Sequence, residues 1–177
     1  MSGCLEVLAW LLMADRCVAP VSEYAGGVLF LETSEEMPAA TEVYRILRCM
    51  GERDLLGRFG AVLLGRAKAW SFDHPAAPSE RDTYQADQRA AVLSALAQYA
   101  PQAMAVFDVD LGHTDPQLVI PYGGMVRVDG PARRITVTYL SAARGTAVAA
   151  RAPAPADLPA LPYCAAMRSA RRVSMPH

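Results

Sequence analysis

The sequence predicts an α/β domain with parallel crossovers, and three observations carry that prediction. Short apolar runs recur at 26–32, 61–65 and 104–109, each the length of a strand buried on both faces. Between them lie two stretches with apolar residues at helical spacing, at 38–50 and after Ser79. Strand, helix, strand, helix, strand in that order argues for right-handed parallel crossovers rather than an all-helical or all-β domain.

Taken in order, Leu5 to Ala14 is apolar at most positions and predicts a buried helix with no element before it, as though the chain began mid-protein. Its apolar run, Val7 to Ala14, follows Glu6, lacks a basic leader and falls far short of the ~20 residues that span a bilayer. Gly26-Gly27-Val28-Leu29-Phe30-Leu31-Glu32 reads as the first strand, with Glu32 at its carboxyl end. Pro38 suits a first helical turn, Val43, Ile46, Leu47 and Met50 share a stripe, and Gly51 is expected in the left-handed stop position. Ala61-Val62-Leu63-Leu64-Gly65 is the second strand. Ser79-Glu80-Arg81-Asp82 resembles a capping box with Ser79 as N-cap, opening a helix that ends before Pro101.

Met104-Ala105-Val106-Phe107-Asp108-Val109 is the third strand. Beyond it, 117–121, 125–129 and 133–139 read as short strands separated by Gly- and Pro-bearing turns, an antiparallel meander that would make the sheet mixed. The domain is therefore expected over 1–140. From 141 to 177 the chain turns rich in Ala, Pro and Arg without periodicity and predicts a disordered tail whose arginines are solvated.

Composition sets the class. With 177 residues there is room for one core plus a tail, and 53% hydrophobic against 20% charged residues fits a soluble globular protein. A net charge of -1 argues against a polyanion binder, so neither nucleic acid nor membrane is an expected partner. Cys4, Cys17, Cys49 and Cys164 have no ligand spacing, so reduced thiols and a cytoplasmic location are expected, with no zinc knuckle or disulfide framework.

Parallel sheets gather chemistry at the carboxyl ends of their strands. Glu32 ends the first strand, Lys68 follows the second, and Asp108, Asp110, His113 and Asp115 follow the third. Glu32 and His113 can form an acid–base pair, because a carboxylate on one ring nitrogen fixes the tautomer a general base needs. The alternative is a surface histidine and a strand-end cap. A third reading, metal held by Asp108, Asp110 and His113, lacks a second set of ligands elsewhere, and His74 sits in an exposed Pro-flanked loop. Lys68, the single lysine of the chain, either binds a substrate carboxylate or is a strand-end surface residue. Neither a G-x-S-x-G elbow nor a phosphate loop is present.

In order, Gly3-Cys4-Leu5-Glu6, Leu29-Phe30-Leu31-Glu32-Thr33-Ser34-Glu35-Glu36, Gly65-Arg66-Ala67-Lys68 and Gly112-His113-Thr114-Asp115-Pro116-Gln117 resemble the C-terminal domain of the LD-carboxypeptidase family, over about residues 3 to 139. That family includes murein tetrapeptide carboxypeptidases and microcin self-immunity peptidases. The resemblance implies a swivelling β/β/α domain that supplies Glu32 and His113 to a Ser-His-Glu triad. It implies amide hydrolysis in murein peptides or peptide antibiotics without metal or cofactor, by proteins that are generally homodimers. The serine and oxyanion donors would come from a separate nucleophile-bearing domain, without which the chain is expected to be inactive. Exposed faces of Leu8, Leu11 and Leu12 would then favour self-association. A non-catalytic peptide- or protein-binding module, or the relic of a split gene, is the alternative.

Overall fold

The computed structural model describes residues 1–121 and 123–139. Strands β1 (Ser2–Cys4), β2 (Gly27–Glu32), β3 (Phe59–Gly65) and β4 (Met104–Val109) form a parallel sheet whose spatial order is the order of the sequence. Helices α1 (Leu5–Ala14), α2 (Ala40–Glu52) and α3 (Pro78–Tyr99) make the three crossovers. With a monotonic strand order, crossovers of one hand must all pass over one face. The core shows this: Leu8 and Leu12 of α1, Leu47 and Met50 of α2 and Leu96 of α3 pack in one cluster with Leu29, Leu31, Val62 and Leu64.

The alternating strand residues Val28, Ala61 and Leu63 point the other way, into a second cluster closed by Val126 and Val128. These two belong to a hairpin of β5 (Met125–Asp129) and β6 (Arg134–Thr138), paired antiparallel in a sheet of its own. Helices, parallel sheet and hairpin thus stack as three layers. Cover on both faces explains why β2 and β3 read as unbroken apolar runs rather than alternating ones. Leu29 and Leu31 are wholly buried, and each such side chain contributes about 1.5–3 kcal/mol of transfer free energy.

Several local expectations are corrected. The first helix has a partner before it, because β1 pairs in parallel with β2, Cys4 lying opposite Glu32; three residues are too few to show a period. Leu8 and Leu12 are buried in the helix layer, and the outward residues of α1 are Trp10 and Met13. Gly51 lies inside α2 and leaves room for Tyr99, whose Cγ would stand 2.2 Å from an added Cβ. The cap of α3 is Ala77, which has no acceptor; Pro78 takes the first turn and Glu80 Oε2 accepts from the Ala77 N–H at 2.7 Å.

The segment 117–121 forms no strand. Pro116 and Pro121 bracket it, removing ladder donors, and Leu118 and Val119 face solvent. Cys4 and Cys49 carry free thiols, whereas Cys17 is disulfide-bonded, against the expectation of reduced cysteines. The tail expected over 141–177 lies outside the described residues. Among those described, no helix is long and apolar enough to cross a membrane.

Candidate functional site

Parallel pairing puts the carboxyl ends of β1 to β4 along one edge of the sheet, and the polar residues noted in the sequence lie there. Glu32 is the last residue of β2 and sits beside β3, with Leu31 opposite Leu64. Gly65 ends β3, opposite Val109 of β4. Beyond Val109 the chain folds back across this edge, the Leu111 N–H donating to the Val109 carbonyl at 2.8 Å. That return requires empty space. A Cβ on Gly65 would stand 2.6 Å from the Leu111 carbonyl oxygen and 3.1 Å from Glu32 Cβ. Gly112 adopts φ +92°, a backbone that side chains rarely allow, and a Cβ there would stand 2.5 Å from Glu32 Oε2.

The result is a direct contact: His113 Nδ1 lies 2.6 Å from Glu32 Oε2. With the carboxylate ionised it can only accept, so Nδ1 carries the proton and Nε2 keeps its lone pair. Glu32 is the more sheltered partner, its side chain 15% exposed against 38% for His113. Such an imidazole, oriented by a half-buried carboxylate yet open to solvent on its far side, is suited to take up and hand over a proton.

Arg66, next after β3, braces the loop that carries His113. Its guanidinium donates to Asp110 Oδ1 at 2.7 Å and to the Asp115 carbonyl at 3.5 Å, the two flanks of the histidine. Gln117 Nε2 adds a 2.6 Å hydrogen bond to the Gly112 carbonyl. Lys68 Nζ is 3.3 Å from Glu35 Oε2, so its charge is partly engaged. Both line a pocket of about 720 Å³ together with His113, His74, Trp70 and Phe72. His74 is exposed, as its Pro-flanked loop predicts, and Phe72 is 94% exposed beside Trp70.

The acidic residues after β4 do not converge with the histidine. Asp108 pairs with Arg89 at 2.6 Å, Asp110 with Arg66, and His113 with Glu32. Among the described residues no group of three or more His, Cys, Asp or Glu is arranged to hold a metal ion. The sequence reading missed the contributions of Gly65, Gly112, Arg66 and the Trp70–Phe72 pair. A glycine directly before a strand-end histidine was the one available signal, since a positive φ there favours glycine.

Comparison with known proteins agrees with this fold. The LD-carboxypeptidase C-terminal domain matches residues 1–128 of the chain. A solved structure, an MccF-like protein from Streptococcus pneumoniae in complex with AMP, is similar with a TM-score of 0.60 and 23% identity, over 78% of this chain and 40% of that one. A muramoyltetrapeptide carboxypeptidase from Oxalobacter formigenes is similar at a TM-score of 0.45 and 23% identity, over 66% of this chain and 35% of that one. The chain therefore spans well under half the length of these two solved structures. No curated protein matches. The match over 1–128 covers most of the chain, which belongs to the LD-carboxypeptidase family through that family's C-terminal domain.

Proposed function

We propose that Glu32 and His113 are the orienting acid and general base of a serine-type peptidase, completed by a serine and oxyanion donors on a separate nucleophile-bearing domain. The observation that carries this reading is the 2.6 Å contact between His113 Nδ1 and Glu32 Oε2, at the sheet edge and open to a pocket. In the reaction, His113 Nε2 takes the serine proton as the hydroxyl attacks the amide carbon, then delivers it to the departing amine. Glu32 holds the ring in that tautomer and stabilises the imidazolium between the two steps. The step needs neither metal nor cofactor.

Family membership supports an amide of a cytoplasmic murein-derived peptide, or of a peptide antibiotic, as substrate. Lys68 fits the substrate carboxylate as a compact point charge, provided the carboxylate displaces Glu35. Dimerisation belongs to the same reading and is measured by sedimentation at rising concentration. The deciding experiment is hydrolysis of an L,D-linked murein tetrapeptide by the purified chain, with and without an added nucleophile domain, with His113→Ala as control. Turnover only in the mixture, abolished by the substitution, supports the proposal.

A second reading is a non-catalytic peptide-binding module. The exposed Trp70 and Phe72 at the pocket favour it. Tetrapeptide binding without turnover in either mixture would select it.

A further inference from the structure

We infer that Glu6 is a positioning residue for the Glu32–His113 pair, its buried carboxylate tying down the residues beside and just beyond Glu32. The inference rests on the reading of that pair as acid and base. Glu6 lies in the first turn of α1 and is 8% exposed. Its Oε1 accepts from the backbone N–H of Ser34 at 3.0 Å and from the Ser34 hydroxyl at 2.6 Å. Its Oε2 accepts from the Cys4 thiol at 2.9 Å. Cys4 is the register partner of Glu32, and Ser34 follows Glu32 by two residues. All three donors therefore belong to the segments that flank Glu32.

The loop after β2 is held at its far end as well. The Pro38 carbonyl accepts from Tyr84 at 3.1 Å and from the buried Gln88 at 2.7 Å, both on α3. Within the loop, Ser34 Oγ accepts from the Glu36 N–H at 3.1 Å. Glu35 and Glu36, which line the pocket, are thus carried on a segment pinned from α1 and from α3.

A buried carboxylate is costly to retain, and apolar packing would stabilise α1 as well or better. Burial alone would make Glu6 a weaker acid, but the hydrogen bonds from Cys4 and Ser34 outweigh it and hold the carboxyl below its usual range. Glu6 is therefore anionic at neutral pH, and its hydrogen bonds are of the stronger, charge-assisted kind. Burial also keeps it from any substrate, so its influence has to pass through Cys4 and Ser34.

The test follows the His113 Nδ1 proton by 1H–15N NMR in the purified chain, beside thermal melting, for Glu6→Ala, Ser34→Ala, the double variant and Glu6→Gln. Solvent exchange of that proton is expected to quicken about tenfold in each alanine variant, the order of one lost charge-assisted hydrogen bond. No further gain is expected in the double variant, because both changes cut the same link. Glu6→Gln keeps an acceptor oxygen and is expected to restore most of the protection. An unchanged Nδ1 proton in Ser34→Ala, whatever the melting temperature does, overturns the inference, and that variant decides the matter even if Glu6→Ala fails to fold. The readout needs no turnover: absence of hydrolysis in the complemented mixture sinks the peptidase reading alone, and an unchanged proton sinks this one alone.

Discussion

Gly112 leaves open the space in which the Glu32 carboxylate lies, since a Cβ there would stand 2.5 Å from Glu32 Oε2. Gly112→Ala combines a strained positive φ with a collision against a half-buried side chain. Together these are expected to cost about 2–4 kcal/mol, read by urea denaturation, and to remove the His113 Nδ1 hydrogen bond. Stability within about 0.5 kcal/mol of the parent, the ordinary scatter of harmless surface changes, would contradict the role given to this glycine.

Glu32→Gln keeps the shape of the side chain but lets an amide face the ring. The tautomer is then no longer enforced, and turnover in the complemented mixture is expected to fall about ten-thousand-fold with KM little changed. A loss of less than tenfold would remove Glu32 from the machinery.

Gly51→Ala sets two effects against each other. Alanine favours a helix interior by about 1 kcal/mol, but its Cβ would stand 2.2 Å from Tyr99 Cγ. Displacing that ring also strains the 2.6 Å bond from the Tyr99 hydroxyl to Glu52. Overpacking of this kind costs about 1–3 kcal/mol, so a net loss is expected. A raised melting temperature would show that the ring moves freely.

The two free thiols are expected to react at different rates. Burial, followed by the hydrogen bond to Glu6, pushes the Cys4 thiol up to about 11. At pH 8 such a thiol is roughly one part in a thousand thiolate, the reactive form. Cys49 is exposed, so iodoacetamide followed by mass mapping should label it well before Cys4. Equal rates would mean that the Cys4–Glu6 contact does not persist in solution.

Acid should weaken the domain through Glu6. Its folded carboxyl titrates below its ordinary value of 4.5, so its contribution to stability is present above that value and is lost as pH falls through the folded value. The neighbours facing it, Cys4 and Tyr84, are both neutral in that range, burial pushing Tyr84 up to about 12. Urea midpoints of the parent and Glu6→Gln should therefore converge as pH drops from 6 to 3. A constant gap would refute the ionised clamp.

The sheet was legible because its strands are apolar on both sides. Leu29, Leu31, Val62 and Leu64 meet the helices while Val28, Ala61 and Leu63 meet the hairpin, and burial on both faces leaves an unbroken run in the sequence. β1 was not legible, since three residues carry no period and Ser2–Cys4 pairs only because β2 offers an edge. The cap of α3 was misplaced because Glu80 binds backward to the Ala77 N–H, a choice made by Pro78 entering the first turn rather than by Ser79. The strand expected at 117–121 failed where two prolines removed its donors.

What the sequence determined by itself was local: which runs become strands, which stripes become helices, and that Glu32 and His113 stand at strand ends. It also held the motifs that tie the chain to its family. Whether those two residues touch was decided by tertiary structure, because 81 positions separate them and their contact depends on β3 and β4 lying side by side in register. The same holds for Glu6 and Ser34, 28 positions apart and joined only because β1 pairs with β2. Periodicity reports the environment of one element at a time. A hydrogen bond between distant side chains depends on where the backbone leaves room, and here that room is made by Gly65 and Gly112.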